Sequence, residues 1–184
     1  ERVNGLGEKL LARAALALEQ HGRVGGGHTL GFWSNKNGQA TMNDGASVCS
    51  ELALLNSLYL RNGAGSRMNF ACDFSAFKNW LLSATATNMA YMLSAQLAAM
   101  EVSVEAGFVN GGALVYAPGT NSANGLGFAT VNDLMSEANA ELTLHGTALA
   151  GDSWRGYQEA LKNALDKANN NQTFVQPTPC AFTF

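Results

Sequence analysis

The 184-residue chain is long enough to bury a core of its own, and 47% of it is hydrophobic, much of that alanine. Only 14% of it is charged, against about 25% in a typical soluble domain. A net charge of −3 with no basic run excludes a nucleic-acid surface, and no apolar stretch reaches the roughly 18 residues of a membrane span.

Leu6, Leu10, Leu11, Ala14 and Leu18 recur at helical spacing and predict a first helix over residues 5–20, stopped at Gly22. Residues 1–20 lack a basic start and a small-residue cleavage site, as a mature secreted chain also would. Residues 22–45 read as a Gly/Asn-rich loop, with turn signals at Asn37-Gly38 and Asp44-Gly45. Phe32 and Trp33 are its candidate anchors, held by burial of their rings.

A second helix is expected over 46–61, with Val48, Leu52, Leu55 and Tyr59 on one face and Asn62-Gly63 as its stop. A third follows near 74–84, with Asp73 as N-cap and Phe77, Trp80, Leu81 and Ala84 inward. The fourth, about 86–106, carries a stripe of Met89, Leu93, Leu97, Met100 and Val104. Its alanines keep the other faces slim, so it is expected to be central and closely approached by its neighbours.

Residues 107–128 read as irregular, with a short strand at Leu114–Tyr116. The fifth helix is predicted over 131–144, opened by Thr130 with Asp133 in a capping-box position. The sixth spans about 153–169, with Trp154, Tyr157, Leu161 and Leu165 inward. In the tail, 170–184, Pro177 and Pro179 forbid a helix, and Ala181-Phe182-Thr183-Phe184 alternates as a strand does. Leu114–Tyr116 is its expected partner, either in the same chain or in a neighbour. The expected fold is a single domain, 1–184, mainly α. It is a compact bundle of about five or six helices with long Gly/Asn-rich loops and a short extended C-terminal strand.

Cys49, Cys72 and Cys180 have no zinc, haem or redox spacing. Cys49–Cys72 would close a modest loop; Cys180 could pair with either, or all three could be buried thiols. No zinc-protease, phosphate-loop, hydrolase-elbow or calcium-loop pattern is present, and the expectation is no enzyme, no cofactor and no metal. His28 with Asn43 or Asp44 is a weak metal candidate, and Glu101 with Glu105, one turn apart, reads as a solvated pair. Asn171-Gln172-Thr173 matches the glycosylation triplet.

The stretch His28-Thr-Leu-Gly-Phe-Trp-Ser-Asn-Lys, followed by Asn88-Met-Ala-Tyr-Met-Leu-Ser-Ala-Gln-Leu-Ala-Ala-Met and Asn132-Asp133-Leu134, resembles a group of uncharacterised secreted bacterial surface proteins. These carry a Gly-aromatic-Trp motif before an Ala/Gln-rich helix. The likeness implies an extracellular or cell-surface location and no known activity. It departs after Trp33, where Ser34-Asn35-Lys36 replace the Lys and nearby His of that pattern.

Low charge, slim helices and an apolar tail point to an extracellular structural subunit that self-assembles into a homo-oligomer, filament or surface layer. Phe32, Trp33, Phe182 and Phe184 are the candidate contacts. The alternative is a secreted carbohydrate- or ligand-binding module, its glycan held at the loop around Trp33.

Overall fold

The computed structural model describes residues 26–43 and 47–175. The helix expected over 5–20, Asp44, Cys180, Phe182 and Phe184 lie outside them. Among the described residues the fold is mainly helical, with seven helices and one small antiparallel sheet.

The segment expected to be a loop contributes two of those helices: α1, Leu30–Trp33, and α2, Lys36–Asn43. The Thr29 hydroxyl accepts from the Phe32 N–H and caps α1. Asn35 Oδ1 accepts from the N–H groups of Asn37, at 2.7 Å, and Gly38, at 3.3 Å, and so opens α2. Asn37-Gly38 is therefore no turn. A Cβ on Gly38 would lie 2.3 Å from the Phe32 carbonyl oxygen, so this glycine lets α2 press on the backbone of α1.

Helix α3, Cys49–Ser57, buries Leu52 and Leu55 but stops short of the expected Asn62-Gly63. Leu58 turns extended, and the Arg67 guanidinium takes the carbonyls of Asn56, Ser57 and Leu58 that the helix leaves open. Cys49 is disulfide-bonded to Cys72, with Cα atoms 4.5 Å apart, within the usual range.

Helix α4, Phe74–Leu82, starts on Asp73, whose carboxylate accepts from the Ser75 N–H at 2.8 Å. Helix α5, Met89–Glu105, starts on Asn88. Burial runs around the whole of α5 and is not confined to the predicted stripe: thirteen of its seventeen residues are buried. It packs most against α7, Arg155–Asn169, and next against α6, Val131–Leu144. Thr130 is the predicted N-cap, accepting from the Asp133 N–H at 3.1 Å, but the Asp133 carboxylate takes the Thr130 hydroxyl at 2.6 Å and not the backbone N–H that would complete the box.

The predicted strand Leu114–Tyr116 is β1. Its partner is β2, Phe128–Thr130, in register Leu114↔Thr130, Val115↔Ala129, Tyr116↔Phe128. The start of the C-terminal tail pairs on the other edge of β1, within the chain. Phe174 bridges Val115, Val175 N–H donates to the Leu114 carbonyl at 2.8 Å, and Tyr116 N–H donates to Thr173 at 3.1 Å.

Replacing Cys49 and Cys72 together by Ser should lower stability by about 3 kcal/mol, the chain-entropy value for a loop of this length. Urea unfolding checks this, and a fall below about 1 kcal/mol would show that the crosslink constrains nothing.

Candidate functional site

The motif around Trp33 is an anchor. The Trp33 ring is wholly buried, and its Nε1–H donates to Ser103 Oγ at 3.2 Å. The same hydroxyl accepts from the His28 N–H at 3.3 Å and donates to the Ala99 carbonyl at 2.7 Å. His28 stacks on Phe32 with centroids 3.9 Å apart and meets Phe108 edge-on at 4.4 Å. Burial lowers the His28 pKa. Of the four aromatic contacts named from the sequence, Phe32 and Trp33 lie among the described residues, and of these two only Phe32 reaches solvent; Trp33 has no surface left for a sugar ring.

Glycine positions this anchor. A Cβ on Gly27 would lie 2.8 Å from Asn169 Cα and 2.9 Å from the Ala168 carbonyl. Chain entry into the motif thus lies directly on the C-terminal end of α7. The buried Asn169 Nδ2 donates to Gln96 at both its carbonyl, at 3.0 Å, and its Oε1, at 2.8 Å. Asn171, of the glycosylation triplet, uses its Nδ2 on the Gly27 carbonyl at 3.1 Å.

Two polar clusters face the other side of the bundle. The Glu137 carboxylate accepts from the N–H groups of Asn121, at 2.6 Å, and Ser122, at 2.7 Å, and from the Tyr157 hydroxyl. Burial pushes its pKa up, but the hydrogen bonds from Ser122, Tyr157 and Asn121 outweigh that and hold it below the ordinary value. Burial and then the Glu137 carboxylate push Tyr157 well above its own. Neither group exchanges a proton near neutral pH, so the pair works as a clasp on the 118–124 loop. In the second cluster Glu141 Oε1 lies 2.8 Å from His145 Nδ1 and accepts from Gln158 Nε2 at 3.2 Å, while the His145 ring stacks on Trp154. Gln158 Oε1, fully buried, finds no partner among the described residues.

Among the described residues no three His, Cys, Asp or Glu side chains group as metal ligands, and the half-buried His28 packs against the rings of Phe32 and Phe108. The Glu101–Glu105 pair is not simply solvated. Glu101 is half-buried, and its pKa is raised by that burial first and by the Glu105 charge second.

The least expected feature is the outward face of the small sheet. Val115 and Ala129 point into the core, and Phe174 packs against it. By strand alternation the other face presents Leu114, Tyr116, Phe128, Thr130, Thr173 and Val175, none of them charged. Leu114, Tyr116 and Val175 are 41%, 44% and 42% exposed. The solvent face of an antiparallel sheet is ordinarily polar. Beside it Leu126, 79% exposed, sits on a turn pinned by Asn124, whose Oδ1 accepts from the N–H groups of Leu126 and Phe128. From sequence alone β1 is legible as a strand, whereas Leu126 and the start of β2 read as irregular chain. Phe128-Ala-Thr is short and does not alternate apolar with polar, since an apolar Phe128 faces outward beside the buried Ala129, so it carries no strand pattern.

Trp33→Ala should cost about 3–5 kcal/mol in urea unfolding, the range for emptying a fully buried large aromatic site. Little change would mean that the motif is not an anchor. Glu101 is destabilising when charged. A folded pKa above the unfolded one favours the protonated carboxyl, so stability is greatest at acid pH and is lost as pH rises through the carboxyl range. Glu101→Gln should therefore stabilise the chain at pH 7 by about 0.5 kcal/mol, the size of a like-charge pair one turn apart. The gain should vanish toward pH 4; thermal melts across that range measure it.

Comparison of the chain with protein-family models, with curated proteins and with solved structures finds no match.

Proposed function

We propose that the chain is an extracellular structural subunit that associates with copies of itself through the outward face of the two-stranded sheet and the tail segment bridged to it. The observation that carries this is the face itself: six outward residues without a charge, three of them large, apolar and more than two-fifths exposed. Water contact with such a face is unfavourable, at about 25 cal/mol per Å² of apolar area. A partner of like charge meets no repulsion there, because the face carries none. The low charge of the whole chain acts in the same direction. The disulfide suits an oxidising compartment, which supports placement outside the cell. No helix among the described residues is long and apolar enough to cross a membrane.

Size sets a condition on the interface. A stable one covers about 800 Å² on each partner, more than six side chains supply. Leu126, on backbone pinned by Asn124 next to Phe128, extends the patch, and backbone already fixed loses little entropy on docking. The ligand-binding alternative loses its Trp33 platform to burial, so the assembly reading is the better supported.

Light scattering across a concentration series tests it. The chain should associate as concentration rises toward about 1 mM, where even an interaction of about 4 kcal/mol is visible. Leu114→Lys and Val175→Lys, both at exposed positions, should keep the wild-type melting temperature and remain monomeric. A wild-type chain that is monomeric throughout, or variants that associate as it does, would remove the proposal.

A further inference from the structure

A shallow groove of about 190 Å³ lies between β1 with its continuation to Pro118 and the flank of α7. It is lined by Tyr116, Pro118, Ala160, Asn163, Ala164 and Lys167. Tyr116 and Pro118 are two apart on an extended chain and share a side. Ala160, Asn163, Ala164 and Lys167 recur at helical spacing on one face of α7. Two small residues keep the floor low, and the wall opposite Tyr116 carries one amide and one ammonium a turn apart.

The ring of Tyr116 is held before any ligand arrives. A Cβ on Gly127, whose φ is +84°, would lie 2.7 Å from Tyr116 Cε2, so the ring rests where only glycine leaves room. The Phe128 ring supports it at 5.3 Å between centroids. Gly119, at φ +82°, turns the chain beside Ala160 where Pro118 has already fixed its direction. Yet the Tyr116 ring remains 44% exposed. A fixed, exposed aromatic ring facing polar side chains is an amphipathic slot. No carboxylate among the described residues pairs with the Lys167 ammonium.

We infer that this groove binds a single monosaccharide unit bearing a carboxylate. The volume lies below the about 300–1,000 Å³ of sites for drug-sized ligands, which limits the occupant to about one ring. A pyranose has an apolar face for Tyr116 and Pro118 and hydroxyls for the donor and acceptor of Asn163. A uronic-acid carboxylate pairs with Lys167 through a charge-assisted hydrogen bond. Tyr116 is shared with the sheet face, but Lys167 belongs to α7 and not to that face, so Lys167→Met tests this site apart from the assembly face.

The test is a titration of the whole chain with glucuronate, glucose and acetate, followed by backbone amide NMR shifts. Glucuronate should move the amides around Ala160–Lys167 with millimolar affinity, glucose more weakly, and acetate not at all at equal concentration. Lys167→Met should remove the preference for glucuronate over glucose by about tenfold or more, the size of one hydrogen bond to a charged group. Tyr116→Ala, with its fold verified by its melt, should abolish both sugars. Absent shifts at these amides would overturn the inference. Acetate binding as well as glucuronate, or an unchanged preference in Lys167→Met, would overturn it equally, by showing that a bare anion contact accounts for any signal.

Discussion

A helix buried on every side is the constraint from which the rest of this structure follows. Helix α5 has almost no solvent face, so its neighbours must approach from all directions. Alanines at 90, 95, 98 and 99 allow that approach, while Leu93, Leu97 and Met100 fill the gaps between elements. Polar atoms on such a helix must all find partners. Ser94 donates to the Ala90 carbonyl and accepts from the Arg61 N–H at 2.8 Å; Ser103 donates to Ala99 and accepts from Trp33 and His28. Gln96 receives Asn169. Three separate chain segments are thereby fixed to one helix by its few hydroxyl and amide groups.

Several of the charged side chains are used on the chain's own backbone. Arg61 donates to the Leu142 carbonyl at the end of α6, Arg67 caps α3, and Arg155 holds the carbonyls of Ala86, Thr87 and Ala148. Glu137 gathers the amides of the 118–124 loop, and Asp73 and Asp152 accept backbone N–H groups. Each ion is closely engaged with a carbonyl or amide, an arrangement that fixes irregular chain without regular secondary structure. It also leaves the outside with little formal charge, and on the sheet face with none.

This division connects packing to the proposed function. Glu137 fixes the loop after Pro118, Asn124 fixes the turn at Leu126 and strand pairing fixes Tyr116, so a partner or ligand meets backbone that is already ordered. The sheet is too small to support itself, and it persists because Val115, Ala129 and Phe174 enter the core that α5 organises. Its outward face inherits that rigidity.

Wherever local physics decides, the sequence was legible. The hydrophobic period and the Thr130–Asp133 cap defined α6 residue for residue; Asp73 opened α4, and alanine with few charges marked α5 as central. The short apolar run Leu114-Val-Tyr marked β1; the chain that pairs on its other edge is Thr173–Val175, ahead of the Ala181–Phe184 segment that reads as a strand and lies outside the described residues. Tertiary contact decided the rest. Gly38 sits inside a helix because α1 lies against it, and α3 stops at Leu58 because Arg67, ten residues beyond Ser57, takes its carbonyls. The burial of Trp33 depends on Ser103, seventy residues away, and the Tyr116 groove depends on Gly127 and on a face of α7. These are long-range pairings, and no local period or turn signal records which distant backbone a side chain will meet.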